Sequence, residues 1–108
     1  MTLLSPSQQA VLTSIKRQGI RYLPKNAVFE EKDDVPQWVM ILGAYWNWTW
    51  DISQDSFTAD YRRRKFELNK KGYRIVSFHV PWRVESGAFV ANKKFIPRHG
   101  YMLLREPT

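Results

Sequence analysis

The sequence of 108 residues contains no cysteine and only five glycines, none of them adjacent to another. Without cysteine, a disulfide framework and a thiolate metal site are both excluded. The glycines do not form the clusters that surround phosphates in nucleotide-binding loops, and neither a dinucleotide fingerprint nor a nucleophile triad is present. We therefore expect no bound cofactor and no covalent catalysis of the common kinds.

Long apolar runs are also missing. No stretch approaches the ~20 apolar residues that span a bilayer. The first residues, MTLLSPSQQ, lack the positive region and the long apolar stretch of a signal peptide. We expect a soluble, cytoplasmic protein that does not associate with membranes.

Acidic residues are scarce in the second half of the chain. Residues 1–60 carry five Lys or Arg and seven acids, a balance of −2, whereas residues 61–108 carry twelve and three, a balance of +9. The net charge of the whole chain is +7. This asymmetry favours a directed basic face over an evenly charged surface. Nucleic acid, either DNA or RNA, is the expected partner, and an acidic protein or another anionic surface is the alternative.

The chain length predicts a single basic domain over residues 1–108. Ser5 and Pro6 predict the start of a first helix, with a serine cap and a proline in the first turn. Apolar residues at helical spacing follow, and Gly19 closes the segment. After a short extended stretch, Ala27 to Phe29 is expected to form a strand.

The apolar centre of the sequence predicts two further strands. Trp38 to Leu42 lacks polar alternation, which is typical of a strand covered on both faces. From Tyr45 onward alternation returns and places Trp46, Trp48 and Trp50 on one strand face. We expect these three indoles to be buried beneath the first or second helix, because exposed they would favour aggregation. If that face is open instead, it is a stacking surface for single-stranded bases.

The second predicted helix spans Phe57 to Lys71 and leads into the most strand-like segment, Tyr73 to Val80. Four consecutive cations at positions 62–65 open this helix, and two lysines before Gly72 end it. Aromatic and β-branched residues then alternate with others, as in a pleated strand with buried faces. Pro81 is expected to stop the ladder because it lacks an amide hydrogen.

The C-terminal part predicts a hairpin and loops before a last strand. A turn is expected at Glu85-Ser86-Gly87, loops at Asn92–Lys94 and Pro97–Gly100, and the final strand at Tyr101–Arg105. The fold class that results is α/β (α+β), a single small domain. Its core order is α-β-β-β-α-β with a C-terminal β-hairpin or extra strands.

This core order is that of the PD-(D/E)XK nuclease-like fold, and two stretches carry a closer resemblance. WVMILGAYWNW resembles the strand that enters a glycine-aromatic-tryptophan turn in the very-short-patch mismatch-repair endonucleases and their relatives. DYRRRKFELNKKGYRIVSFHV resembles the helix and strand that follow in that group. The resemblance covers residues 38–80 and implies a nuclease-like scaffold with a basic face.

The acidic residues depart from that family's pattern. Its chemistry uses an aspartate, then Glu-x-Lys on the next strand, to hold Mg²⁺ and orient water. Glu30-Glu31-Lys32 spells Glu-x-Lys, but residues 1–29 contain no acid, and the histidines of the family's turn are absent. Glu30, Asp34 and Asp51 could converge at strand ends, although we expect them to be solvated turn acids. The resemblance therefore implies a non-catalytic relative, with no catalytic residue and no metal site.

Nucleic-acid binding without catalysis is the predicted function, with phosphates contacted by the Arg62–Lys71 helix and the Lys93–His99 loop. His79, in a strand, and His99, in a loop, lack acids at metal spacing and are expected to be structural. The alternatives are an interaction or inhibitor protein that docks an acidic partner, and a degenerate metal-dependent nuclease. The candidate nucleic-acid-binding residues are Arg62, Arg63, Arg64, Lys70, Lys71, Arg74, Lys93, Lys94 and Arg98.

Overall fold

The computed structural model of the protein describes residues 3–82 and 96–107. Its first helix, α1 (Pro6–Lys16), has Ser5 as its N-cap and Pro6 in its first turn, as predicted. The Ser5 hydroxyl accepts a hydrogen bond from the Gln8 amide at 3.2 Å, and the Gln8 side chain accepts one from the Ser5 amide at 3.1 Å. This capping box satisfies amides that the first turn leaves without helical partners, so the start of α1 is determined locally.

Within the described residues, five strands form one antiparallel sheet in the order β1-β3-β5-β4-β2. This sheet, together with the helices, makes a mixed α+β fold and confirms the predicted fold class. The strand predicted at Tyr73–Val80 is confirmed as the main part of the fourth strand. The five strands are β1 (Ile20–Arg21), β2 (Val28–Phe29), β3 (Ala44–Trp48), β4 (Arg74–Trp82) and β5 (Ile96–Arg105).

The pairing of β4 with β5 corrects the prediction that Pro81 stops the ladder. Pro81 lies directly opposite Pro97, and pairing continues to Trp82. Two prolines can face each other where the antiparallel ladder places no hydrogen bond between them. The prediction of a loop at Pro97–Gly100 is also wrong, because these residues belong to β5. The predicted turn at Glu85–Gly87 lies outside the described residues.

The segment predicted as a fully buried strand is instead a short helix, α2 (Trp38–Leu42). Only Val39 is buried, and Ile41 and Leu42 are exposed. An apolar run of this length cannot be assigned to helix or strand by periodicity alone. Gly43 ends the helix with φ of 81°, a conformation that glycine adopts without steric cost.

The strand with the tryptophans is shorter than predicted. β3 ends at Trp48, and α3 (Thr49–Ile52) begins at the next residue. Trp50 therefore leaves the face that it was expected to share with Trp46. Its side chain is 70% exposed, whereas Trp46 is buried and Trp48 is partly buried. The burial prediction is confirmed for Trp46 and wrong for Trp50.

The basic helix, α4 (Tyr61–Lys70), begins later than the predicted start at Phe57. A 3₁₀ turn over Ser56–Thr58 precedes it, and the Asp55 carboxylate accepts a hydrogen bond from the Phe57 amide at 2.9 Å. Asp55 thus caps the 3₁₀ turn, and α4 begins only after this turn has ended. None of the helices in the described ranges is long and apolar enough to cross a membrane.

The sheet separates two hydrophobic clusters. α1 and α4 cover one face of the sheet. The buried cluster between these helices and the sheet consists of Val11, Leu12, Ile15, Ile52, Leu68, Ile75, Tyr101 and Leu103. The other face carries Leu23, Val39, Ala44, Trp46, Val76, Phe78 and Met102. Trp46 therefore packs with residues of α2 and of the segment after β1, so the expectation that the first or second helix covers it is wrong.

Candidate nucleic-acid interface

The outward side of α4 presents cations around an exposed aromatic ring. Arg62, Arg63, Phe66 and Lys70 are exposed and lie within about 100° of helix circumference. Lys70 Nζ lies 4.6 Å from the centroid of the Phe66 ring. We call these four residues the α4 basic face.

Three other predicted site residues are engaged in contacts with the rest of the protein, Arg64 within α4 and the other two with different segments. Arg64 forms an ion pair of 2.8 Å with Glu67. Lys71 donates to the Gln8 side chain at 2.6 Å, and Arg74 donates to the Asp33 carbonyl. These side chains have less freedom to meet a ligand than Arg62, Arg63 and Lys70. Lys93 and Lys94 lie outside the described residues.

The acid on α4 has its closest partners on α1 and at Arg64, and within the basic face it interacts only weakly with Arg63. Gln8 of α1 donates a hydrogen bond of 3.0 Å to the Glu67 carboxylate. This bond, followed by the one from Arg64, lowers the pKa of Glu67 because both favour the charged carboxylate. Lys65 points to the sheet, where its Nζ donates to the Ser77 hydroxyl at 2.8 Å, and burial lowers the pKa of this lysine.

The start of α4 is unusual for a helix. Its first turn contains no acid, and Asp60 at the N-cap has φ of 60° and makes no capping bond with its side chain. Arg62 and Arg63 instead place positive charge where the helix dipole is already positive, which costs stability. Free amides and cations at one helix start form a favourable environment for an anion such as phosphate.

An open cleft lies beside this helix start, where β3 ends and β5 continues with β4 as its only partner strand among the described residues. Its volume is about 670 Å³. The Arg98 guanidinium, on β5, lies 4.5 Å from the centroid of the Trp48 ring, and Arg62 enters from α4. The cleft, which we call the β3-end cleft, is lined by Trp48, Thr49, Trp50, Ser53, Tyr61, Arg62, Arg98 and His99.

Cleft residues that lie in other elements than the sequence predicts include Trp50, Arg98 and His99. Trp50 continues the alternation of the strand, so nothing in the aromatic pattern marks the change to helix at Thr49. His99 was expected in a loop but lies in β5 opposite His79, with 6.2 Å between the ring centroids. The polar residues that follow Trp50, with their low strand propensity, are the signal that could have ended the strand earlier.

The acids considered for a metal site do not share a site, and two of them contact different cations. Glu30 pairs with Lys32 at 3.2 Å, and Asp51 lies 3.9 Å from Arg17. Asp34 follows a 3₁₀ turn with φ of 45°. Within residues 3–82 and 96–107, no group of three or more His, Cys, Asp or Glu is placed to hold a metal ion.

Comparisons of the chain with protein-family models, with curated proteins and with solved structures find no match. The resemblance to the PD-(D/E)XK nuclease-like fold therefore stays a prediction from the residues that carry it. The argument for function rests on the α4 basic face and the β3-end cleft.

Proposed function

We propose that the protein binds nucleic acid through the α4 basic face and the adjoining β3-end cleft, without cleaving it. The observation that carries this proposal is the position of the exposed cations. Arg62 belongs to both surfaces, so the cations of α4 and Arg98 of β5 border one continuous region. A polyanion with regularly spaced charges matches such a region.

The arginines at the start of α4 lower the stability of the helix, which supports a role for them in binding and not in folding. Arg62 and Arg63 oppose the helix dipole, and their exposed side chains contribute little to the core. A bound phosphate removes this penalty, because it supplies the negative charge that the first turn lacks.

The aromatic rings favour nucleic acid over an acidic protein. Phe66 on α4 and Trp50 in the cleft are exposed among the cations, at 61% and 70% respectively. Basic grooves interleaved with aromatic rings are typical of surfaces on which bases stack while cations follow the backbone.

A salt titration of two variants tests this function. Binding of a labelled oligonucleotide is measured by fluorescence anisotropy for the wild type, for Arg63→Ala/Lys70→Ala and for Arg105→Ala. Arg105 is an exposed arginine at the other end of β5, ~23 Å from Arg98 along the strand at ~3.3 Å per residue. It is the control for loss of charge, and it removes one positive charge where the double variant removes two.

We expect the double variant to bind more weakly and to lower the slope of log affinity against log salt by ~1.4 on single strands or ~1.8 on duplex DNA. The control should keep the wild-type slope, and all three proteins should melt at similar temperatures. Equal slopes for the double variant and the wild type would place the phosphate contacts elsewhere. Equal losses per charge removed in the two variants would indicate attraction by net charge alone.

A further inference from the structure

We infer that the β3-end cleft takes an unpaired base of a single-stranded nucleic acid, stacked on the indole of Trp50. This inference rests on the proposed nucleic-acid binding and names the form of nucleic acid and the residue that selects it. The indoles of Trp46 on β3 and Trp50 on α3 have different environments.

Trp46 has the contacts of a core residue, whereas Trp50 does not. The Trp46 indole donates a hydrogen bond of 3.1 Å to the Tyr22 carbonyl, and the Arg21 guanidinium stacks on its ring at 3.5 Å. Trp50 leaves 70% of its surface exposed on a helix of four residues. An indole presents a large flat apolar area, and this one lines the cleft together with the ring of Trp48 and two arginines, where a planar ligand can stack on it.

The walls of the cleft supply what a nucleotide needs around a stacked base. Arg62 and Arg98 stand on different elements, α4 and β5, and both line the cleft with Trp50. The stacking of Arg98 on Trp48 holds its guanidinium at the rim. Cations that line a cleft together with an exposed aromatic ring can bind the phosphates of the backbone while a base stacks on the ring.

The shape of the site selects against a duplex. Its volume of about 670 Å³ lies in the range of pockets for single small ligands. A paired base has both faces covered by its neighbours, so it cannot stack on an indole unless it is flipped out, at a cost of a few kcal/mol. An unpaired base avoids most of this cost, so the cleft favours single strands.

The α4 basic face has no such selectivity. Arg63 and Lys70 lie on the outside of the helix, where they can meet the phosphates of any nucleic acid. Affinity for nucleic acid in general and preference for single strands therefore depend on different residues. This separation allows the two proposals to fail independently.

The test compares Trp50→Ala with Trp38→Ala, the matched control. Trp38 is also an exposed tryptophan, at 49%, but it lies on α2 in a different pocket. Each protein is titrated with a single strand, with the corresponding duplex, and with a single strand of the same length that consists of abasic sites. The abasic strand keeps the phosphates and removes the stacking partner.

We expect Trp50→Ala to weaken binding of the single strand about 5- to 150-fold, the equivalent of ~1–3 kcal/mol per stacked base. Its binding of the duplex and of the abasic strand should match that of the wild type, and Trp50→Phe should restore part of the loss. Trp38→Ala should bind every probe as the wild type does. Thermal melts check that each variant is folded.

The inference is overturned if the wild type binds the abasic strand as tightly as the normal one, a result that needs no variant. It is equally overturned if Trp50→Ala lowers duplex and single-strand affinity by the same factor. In either case binding of nucleic acid remains, so the proposed function stands. No binding of any probe at low salt would overturn both.

Discussion

The phenyl ring of Phe78 on β4 lies against Gly100, its direct partner on β5. A Cβ atom at Gly100 would lie 2.2 Å from the ring, so only glycine fits this position. The same ring contacts Trp46 and Trp48, with centroids 5.6 and 5.9 Å away. This packing helps to fix the register of β4 and β5. Gly100 is also the partner of Trp48 on β3, and that pairing places Arg98 beside Trp48.

Replacing Gly100 by alanine is therefore expected to destabilise the protein by ~1–3 kcal/mol, as overpacking in cores does. Urea unfolding measures this change in the free energy of unfolding. In a Phe78→Leu background, the added methyl group should cost less, because the smaller side chain leaves room for it. Equal costs in both backgrounds would show that the two residues do not interact.

A buried asparagine ties β3 to α1 and gives a second prediction. Asn47 donates to the Ser14 carbonyl at 2.9 Å and accepts from the Trp48 amide at 2.8 Å. Asn47→Ala removes the hydrogen-bond partner of the Ser14 carbonyl and of the Trp48 amide. Each of these groups that is buried should then cost ~1–3 kcal/mol of folding stability. Thermal and urea unfolding should show a large loss, whereas Asn26→Ala, at an exposed turn position, should change little. Similar stability of the two variants would contradict this account of how α1 is attached.

Glu67 gives the protein a stability that depends on pH. The hydrogen bond from Gln8, and then the one from Arg64, lower its folded pKa below the ordinary value of 4.5. Its contribution to stability is thus present above pH 4.5 and is lost as the pH falls through the lower folded pKa. Thermal melts should show wild type more stable than Glu67→Gln at neutral pH, with the difference shrinking in acid. A difference that stays constant down to pH 3 would contradict this origin.

The fourth prediction is that the protein does not cleave nucleic acid with Mg²⁺ or Mn²⁺. It rests on the separate positions of Glu30, Asp34 and Asp51 and on the missing acid before Glu30. Incubation with plasmid DNA and with RNA, followed by electrophoresis, should leave both intact. Cleavage that disappears in Glu30→Gln or Asp51→Asn, with the fold preserved, would contradict it.

The sequence predicts elements whose signals are local. Ser5 with Pro6 marks the start of α1, and the alternation after Gly72 marks β4, because capping and pleating depend on near neighbours. Local signals fail where contacts between distant parts of the chain determine the structure of a segment. Pro81 stays in the ladder because Pro97 faces it across the chain, a pairing that no short window shows.

The candidate site shows the same limit. The cations of α4 are visible in the sequence, but only the structure separates Arg62, Arg63 and Lys70 from Arg64 and Lys71, whose partners are side chains on the helices. The exposure of Trp50 follows from the end of β3 at Trp48, which the alternating tryptophans conceal.

The central claim is that the basic surface recognises nucleic acid and not negative charge in general. The most direct measurement is a titration of the wild-type protein with a labelled single-stranded oligonucleotide at low salt, followed by competition with polyglutamate of equal total charge. We predict tight binding, a steep loss of affinity between about 50 and 200 mM salt, and displacement by unlabelled oligonucleotide at far lower concentration than by polyglutamate. No binding at low salt, or equal displacement by the two competitors, would contradict the claim.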